Sequence, residues 1–154
     1  MRSARRAAVS PDLAVRGPSG RIRSQHADEL AQDYVELIAG LIATRGEARL
    51  TDVARTIGVT HVTAGRTLQR LQRRGLVSTQ PYRSIFLTPA GRKLARESRD
   101  RHDLVVQFLV AIGVPHAVAE SDAEGLEHHV SRETLSAFAD HVARPVRRKQ
   151  RSRR

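Results

Sequence analysis

Apolar residues recur every three or four positions along residues 27–45, the first clearly patterned stretch of the chain. These residues are Leu30, Tyr34, Ile38, Leu41 and Ile42. Their spacing predicts a helix, and Gly46 is expected to end it. Asp33 and Glu36 lie three residues apart on this helix and away from the centre of its apolar stripe. On this segment alone, a solvated acidic face is the simpler interpretation of the pair.

The next patterned stretch, residues 51–77, predicts two short helices separated by Gly58. Thr51 is expected to cap the first helix, and Thr60 lies near the start of the second. Gly75 is expected to end the second helix. The apolar positions of the two helices are Val53, Ala54, Ile57, Ala64, Leu68 and Leu71. Two short helices arranged in this way are typical of a helix-turn-helix.

The second helix of this pair begins with short polar side chains and continues with arginines. Short side chains suit contacts with base edges, and arginine suits guanine or phosphate. The candidate DNA contacts are Thr60, His61, Val62, Thr63, Arg66 and Arg70. A helical hairpin that serves as a scaffold or binds a protein remains the alternative.

A β-hairpin is predicted over residues 75–88. Leu76 and Val77 begin one strand, residues 85–87 form the other, and residues 81–84 make the turn. A helix-turn-helix followed by such a hairpin is a winged helix. Arg83, at the tip of the wing, could reach a phosphate or the minor groove.

A long helix is predicted over residues 89–114, starting near Pro89. Its second half carries an apolar stripe that can pack on a second copy of the chain. This candidate dimer interface comprises Leu104, Val105, Phe108, Leu109 and Ile112. His102 precedes the stripe, and a lone histidine is usually structural or solvated.

The remaining helical signals are shorter. Residues 115–121 are expected to form a turn or a short helix. Asp122 is expected to cap a helix through the stretch DAEGLEHHVS, and Ser131 to cap a last helix that ends near Val142.

Net charge is concentrated at the two ends of the 154-residue chain. Residues 1–25 carry six arginines and one aspartate (+5), and residues 144–154 carry seven basic residues (+7). Residues 26–143 carry 14 basic and 15 acidic residues (−1), and the three values sum to +11. Both ends are poor in large apolar groups, so we expect disordered basic arms that contact phosphate. A solubilising role is the alternative.

The composition also limits the chemistry and the location of the protein. There is no cysteine, so any metal must be held by oxygen and imidazole nitrogen. The chain has no apolar run near the ~20 residues of a membrane span. The N-terminus lacks the apolar core of a secretory signal. A cytoplasmic protein with no membrane contact is expected.

The stretch DAEGLEHHVS, residues 122–131, concentrates acidic and histidine side chains. On a helix, Glu124, Glu127 and His128 would share one face, while His129 would point away. Two acids and an imidazole on one face suit a hard or borderline divalent cation. A solvated, charged helix face is the alternative.

The order of these segments resembles the short, manganese-sensing branch of the diphtheria-toxin-repressor, or iron-dependent repressor, family. The resemblance extends from about Leu30 to Val142 and includes the helix-turn-helix. Its other strong points are DYVELI (33–38), YRSIFLT (82–88), RHDLVVQFLVAIGV (101–114) and DAEGLEHHVS (122–131). The two basic arms lie outside it.

The resemblance implies a site for Mn(II), two ions per chain. Its ligands would be Asp33, Glu36, His102, Glu124, Glu127 and His128. Asp33 and His128 would belong chiefly to one ion and Glu36 and His102 to the other, with Glu124 and Glu127 between them. The implied function is a Mn(II)-activated homodimer that binds a double-stranded DNA operator and represses manganese uptake genes.

The predicted fold class is mainly α with a small β-wing, organised in four parts. These are a disordered basic arm (1–25), a winged helix-turn-helix DNA-binding domain (26–93), a helical dimerisation and metal-binding domain (94–143) and a disordered basic tail (144–154). The alternatives are an iron-responsive regulator, a metal-independent winged-helix regulator and a small di-metal hydrolase or oxidase. The sequence shows neither a separate nucleophile nor a Gly-rich phosphate loop, either of which would favour the enzyme. A regulator is therefore expected.

Overall fold

The computed structural model describes residues 18–79 and 84–143. These residues form six α-helices and one two-stranded antiparallel sheet, which confirms the mainly α fold with a small wing. In chain order the elements are α1 (Pro18–Arg45), α2 (Leu50–Ile57), α3 (His61–Arg73), β1 (Val77–Ser78), β2 (Phe86–Leu87), α4 (Pro89–Ala111), α5 (His116–Leu126) and α6 (Arg132–Ala143). None of the helices in these residues combines the length and apolarity needed to span a bilayer.

Helix α1 begins at Pro18, nine residues before the predicted start. Proline is tolerated in the first turn of a helix because the N–H that it lacks would have no partner there. The prediction of a disordered arm was therefore wrong for residues 18–25. The rest of that arm, and the basic tail from residue 144, lie outside the described residues. Gly46 ends the helix as predicted, with a φ of 80°.

Helices α2 and α3 form the predicted helix-turn-helix, with Gly58 in the left-handed conformation between them. The Thr60 hydroxyl accepts a hydrogen bond from the Thr63 backbone N–H at 3.2 Å and caps α3. The prediction that Thr51 caps α2 was wrong. The helix starts one residue earlier, and the carbonyl of Arg49 accepts the first helical N–H groups.

The wing pairs Val77 with Leu87 and Ser78 with Phe86 in an antiparallel register. The backbone N–H of Ile85 also donates to the carbonyl of Ala48 at 2.7 Å. This bond ties the wing to the loop between α1 and α2. The predicted turn at residues 81–84 includes Arg83, and positions 80–83 lie outside the described residues.

The first of two cores lies inside the winged helix. Helix α1 contributes most of it, and Tyr34, Val35 and Ile38 are almost completely buried. The start of α4 closes this core from the other side, because Gly91 packs directly against the backbone of Leu76. The further members of the cluster are Ala31, Leu41, Ala48, Val53, Leu68, Leu71, Leu76, Val77, Ile85, Leu87 and Ala95.

The second core lies where the C-terminal half of α4 meets α5 and α6. Val105 is fully buried there, so the prediction that it faces a second copy was wrong: its side chain packs against α5 within the same chain. Phe108 stacks on Phe138 of α6, with ring centroids 3.8 Å apart. Leu109 packs against this core, whereas Ile112 remains 54% exposed.

The stretch DAEGLEHHVS does not form a helix of its own. Helix α5 already begins at His116, after Pro115, so Asp122 lies in mid-helix and the prediction that it is a cap was wrong. Helix α5 ends at Leu126, and Glu127 and His128 occupy its C-cap and the turn that follows. Ser131 caps α6 as predicted, by accepting the N–H of Thr134 at 3.1 Å.

Candidate metal centre

The six predicted metal ligands come from three elements that pack against one another. Asp33 and Glu36 lie on α1, His102 lies on α4, and the other three lie at the end of α5 and in the turn after it. Helix α4 contacts both α1 and α5. The packing therefore brings residues from both ends of the sequence to the junction between the two cores.

His128 connects the turn after α5 to the first helix. Its Nε2 lies 3.4 Å from Oδ1 of Asp33 and 3.4 Å from Oε1 of Glu127. The His128 side chain is only 12% exposed. Its Nδ1 is buried and has no hydrogen-bond partner among the described residues. A buried ring nitrogen without a hydrogen-bond partner is unusual in a folded protein, and the other nitrogen of the same ring faces two carboxylates.

His102 lies between two carboxylates. Its Nδ1 is 3.0 Å from Oε2 of Glu127, and its Nε2 is 3.1 Å from Oε2 of Glu120. Both His102 and Glu127 are buried, whereas Glu120 is about half exposed. Glu127 thus contacts both candidate histidines through different oxygens and occupies the centre of the group.

Glu36 and Glu124 complete the group without contacting a histidine. Oε1 of Glu36 lies 3.8 Å from a guanidinium nitrogen of Arg99 on α4. Glu124 is exposed, and its negative charge acts on both Asp33 and His102. The charge of Glu36 likewise acts on Asp33 and Glu127, so both residues are coupled to the rest of the group.

Burial and neighbouring acids raise the pKa of two of the carboxyl groups, those of Glu127 and Asp33. The pKa of Glu127 is raised, mainly because the carboxyl is buried; the charge of Glu36 adds to the rise, and both histidines oppose it. Asp33 keeps 57% of its side-chain surface exposed, yet the pKa of its carboxyl is also raised. Partial burial is the largest cause, His128 opposes it, and Glu124 and Glu36 add to the rise. A nearby cation would therefore favour the ionised forms of Glu127 and Asp33.

The pKa of His102 is also raised, but for a different reason. Burial by itself would lower the pKa of His102. The hydrogen bond with Glu120 and the negative charges of Glu127 and Glu124 outweigh burial, and the pKa rises above its ordinary value of 6.5. A proton on His102 thus partly neutralises the acids around it.

The six predicted side chains are of the kinds that bind a divalent metal, but in this arrangement they do not surround a position for an ion. Four carboxylates and two imidazoles are donors for a hard or borderline cation. Within residues 18–79 and 84–143, no three His, Asp or Glu side chains converge tightly enough to hold an ion as they stand. The ion pairs occupy the atoms that a metal would need. Metal binding therefore requires these side chains to turn from one another toward the ion.

Two residues that contact the group were missed from the sequence. Glu120 bonds to His102, and Arg99 pairs with Glu36 and also with Asp103 at 3.3 Å. A signal for Glu120 was available, because it precedes Glu124 by four residues and so shares its helical face. No comparable pattern marks Arg99, whose contact with α1 depends on how α1 and α4 cross.

The predicted DNA contacts lie on the exposed face of α3, whose other face is buried. Residues 60–63 and Arg66 are exposed, and Val62 is an apolar residue with 63% exposure. Arg70 is also exposed, but its guanidinium folds back onto the carbonyl of Arg66 and the hydroxyl of Thr67. Arg74, at the C-cap of α3, bonds instead to Asp28 and to the carbonyl of Ala27 on α1.

The helical C-terminal half leaves several apolar side chains exposed. Ile112 belongs to the predicted dimer stripe, while Val110, Val118 and Leu126 were not predicted. The residues of the predicted dimer stripe therefore do not share one surface: Val105 is buried in the core, and Ile112 is exposed.

Both halves of the chain match known protein families. Residues 28–85 match the family described as iron dependent repressor, N-terminal DNA binding domain. Residues 88–153 match iron dependent repressor, metal binding and dimerisation domain. The second match continues past Val142, where the sequence resemblance was expected to end. The chain belongs to the iron-dependent repressor family.

Named relatives and solved structures agree with this assignment. The transcriptional regulator MntR of Salmonella typhimurium is 51% identical over 118 residues, which cover 77% of this chain and 75% of that protein. MntR of Lysinibacillus sphaericus is 38% identical over 111 residues, which cover 72% of this chain and 80% of that one. A solved manganese-dependent transcriptional repressor in complex with manganese is 30% identical, with a TM-score of 0.64. That match covers 75% of this chain and about half, 53%, of the solved chain.

Proposed function

We propose that this protein is a manganese-responsive transcriptional regulator, a homodimeric repressor of manganese uptake genes that binds operator DNA when Mn(II) is bound. The observation that carries the proposal is the meeting of Asp33, on the helix that enters the DNA-binding unit, with His128 and Glu127 from the C-terminal unit. Relatives named MntR, and a solved manganese-dependent repressor, support manganese as the metal.

The proposed ligands of two Mn(II) ions per chain are those predicted from the sequence: Asp33, Glu36, His102, Glu124, Glu127 and His128. Bound Mn(II) would supply positive charge among four carboxylates that otherwise repel one another. The chain's own part is to bring these groups together from α1, from α4 and from the end of α5. A ligand shifts a conformational equilibrium only through its different affinity for the two states. The state favoured here is the one in which α1 and the C-terminal unit are drawn together.

We propose that metal binding controls the position of the recognition helix, α3. Helix α1 is bonded to the end of α3 through Arg74 and Asp28, which lie 2.8 Å apart. A shift of α1 would therefore move α3. In a dimer, the distance between the two copies of α3 would have to match the half-sites of a pseudo-palindromic operator. Thr60, His61, Val62, Thr63, Arg66 and Arg70 are the proposed DNA contacts, together with Arg83 on the wing.

Selection of Mn(II) cannot rest on binding strength alone. Divalent ions such as Zn²⁺ and Fe²⁺ generally bind more tightly than Mn²⁺ to the same nitrogen and oxygen donors. We infer that coordination number and geometry select the metal, so that ions preferring fewer ligands fill one position and activate poorly. Equal occupancy and equal activation of DNA binding by Zn(II) and Mn(II) would disprove this.

The proposal is tested in two stages. Metal-free protein is titrated with Mn(II) while free Mn(II) is followed by EPR, and about two bound ions per chain are expected. Duplexes are then selected from a random pool in the presence of Mn(II), and binding to the selected sequence is compared with Mn(II), Fe(II) or a chelator. A regulator that needs no metal would bind equally with the chelator, and an iron-responsive one would prefer Fe(II).

Substitution at the site distinguishes the same alternatives. Glu124→Ala should abolish Mn(II)-dependent DNA binding, because this carboxylate is proposed to lie between the two ions. Asp122→Ala removes an exposed acid from the same helix and should leave the response unchanged. A metal-independent regulator would bind DNA equally well in both variants.

A further inference from the structure

Glu120 is an acidic residue outside the predicted ligand set that nevertheless bonds directly to one of its members. Its Oε2 lies 3.1 Å from Nε2 of His102. The other ring nitrogen of His102, Nδ1, is 3.0 Å from Oε2 of Glu127. The buried imidazole is therefore held at both ends, by one buried carboxylate and one half-exposed carboxylate.

The two ends of the His102 ring face different surroundings. Nδ1 faces Glu127, whose other oxygen contacts His128, so this side of the ring opens onto the candidate metal centre. Nε2 faces Glu120, whose Oε1 lies 3.6 Å from Nε2 of His116, near the exposed start of α5. The Glu120 carboxylate therefore lies on the side of the ring away from Glu127.

A histidine can bind a metal only through a nitrogen that carries no proton. In a neutral imidazole one nitrogen is a donor and the other an acceptor, and the partner of the donor nitrogen fixes which is which. Histidine ligands commonly donate the second N–H to a carboxylate, which orients the ring and makes the ligating nitrogen more basic. The arrangement at His102 supplies such a carboxylate.

We propose that Glu120 is a positioning residue for the metal centre: it accepts the Nε2–H of His102 and thereby keeps Nδ1 free to face the metal. The inference rests on the proposed function, since it concerns the same centre. Glu120 itself is not a ligand in this proposal. Its carboxylate acts on the metal only through the ring of His102.

Three variants separate this role from others. Glu120→Ala removes the hydrogen-bond acceptor, Glu120→Gln keeps an amide oxygen that can accept the same N–H, and Asp122→Ala removes a matched acid from the same helix. Free Mn(II) is measured by EPR during titration of each metal-free protein, and thermal unfolding followed by circular dichroism checks that each is folded.

The proposal expects a selective loss. In Glu120→Ala, one of the two ions should bind about 10- to 100-fold more weakly, the range usual for losing such a partner, and the other should bind normally. Glu120→Gln should retain most of the affinity, and Asp122→Ala all of it. Equal losses in Glu120→Ala and Glu120→Gln would make Glu120 a ligand and overturn the proposal. No loss in Glu120→Ala would also overturn it.

A spectroscopic measurement tests the tautomer directly. Protein with ¹⁵N-labelled histidine is loaded with Cd(II), a diamagnetic ion of flexible coordination number, and the ring nitrogens of His102 are assigned by NMR. The expected result is a metal-bound Nδ1 and a protonated Nε2; a metal-bound Nε2 would overturn the proposal. If the unsubstituted protein bound no Mn(II), the proposed function itself would fail. If it bound two ions and Glu120→Ala did the same, only the role of Glu120 would fail.

Discussion

The imidazole of His128 lies 3.4 Å from the carboxylate of Asp33, which brings the turn after α5 against the first helix of the DNA-binding unit. Asp33 lies at the surface of α1, one position before the buried Tyr34. The contact therefore joins the C-terminal unit to a helix whose other side forms the core of the winged helix.

Replacing Asp33 with alanine should remove one of the two proposed Mn(II) ions, because Asp33 and His128 belong chiefly to the same ion. Mn(II)-dependent DNA binding should be lost with it. EPR titration and binding to the selected duplex measure the two effects. Glu97→Ala, which removes an exposed acid paired only with Lys93 among the described residues, should change neither. Retention of both ions by Asp33→Ala would contradict the prediction.

The metal-free protein should become less stable as the pH rises through the raised pKa of His102. A group whose pKa is raised by folding contributes stability that is complete below its unfolded value, here 6.5, and is lost above the folded value. The free energy of unfolding, measured with urea in the presence of a chelator at about pH 6 and about pH 8.5, should therefore fall.

The histidine variants identify the source of this fall in stability. His102→Gln should show a smaller fall than the unsubstituted protein, because Gln does not titrate. His61→Gln, on the exposed start of α3, should keep the full pH dependence. An equal fall in His102→Gln and in the unsubstituted protein would show that another group is responsible.

Gly91→Ala should strongly destabilise the protein, because a methyl group at this position would overlap the backbone carbonyl of Leu76 and crowd Leu87. Overpacking of this kind costs about 1–3 kcal/mol or more. Gly65, in the middle of α3, has open space around the same position. Gly65→Ala should therefore be neutral or raise the free energy of unfolding by up to ~1 kcal/mol. Urea denaturation compares the two, and equal effects would be inconsistent with the tight junction at Gly91.

Arg66 and Arg74 should differ in their contribution to DNA binding. The Arg66 guanidinium has no partner among the described residues, whereas that of Arg74 is held by Asp28 on α1. If Arg66 contacts a phosphate, Arg66→Ala should reduce the slope of log affinity against log salt by about one. Arg74→Ala should leave the slope nearly unchanged. Equal slopes in the two variants would exclude a phosphate contact at Arg66.

Removing residues 144–154 should flatten the same salt dependence further, since this segment carries seven basic residues. The sequence preference should stay the same if these residues contact phosphates, because phosphate contacts carry no sequence information. Selection from the random pool with full-length and shortened protein tests the preference. A changed consensus sequence would show that the tail takes part in base recognition.

The sequence was a reliable guide where structure depends on neighbouring residues. The start of α3 near Thr60, the break at Gly58 and the apolar stripe of α1 are all local features, and each was predicted. Errors arose where several local signals competed. Asp122 is a good capping residue, but the helix had already started after Pro115, where proline favours a helix start and leaves no place for a second cap.

The candidate metal centre was likewise predictable only in part. The pattern of residues 122–131 and the family resemblance selected six residues, four of which are linked by direct contacts: Asp33, His102, Glu127 and His128. The contacts of Glu120 and Arg99 could not be derived in that way, because they depend on how α5 and α1 cross α4. Val105 was misassigned for the same reason, since periodicity identifies an apolar face but not the partner that covers it.

Helix α4 runs from the wing to the second core without a glycine or proline between Arg92 and Ala111. Its start is fixed to the wing through Gly91 and Thr88, and its later half carries His102 and Val105. Between these two points the helix therefore has no residue that favours bending. A small tilt of α4 near His102 would therefore also move the wing. The position of the wing relative to DNA would then change by rotation of the whole helix rather than by bending within it.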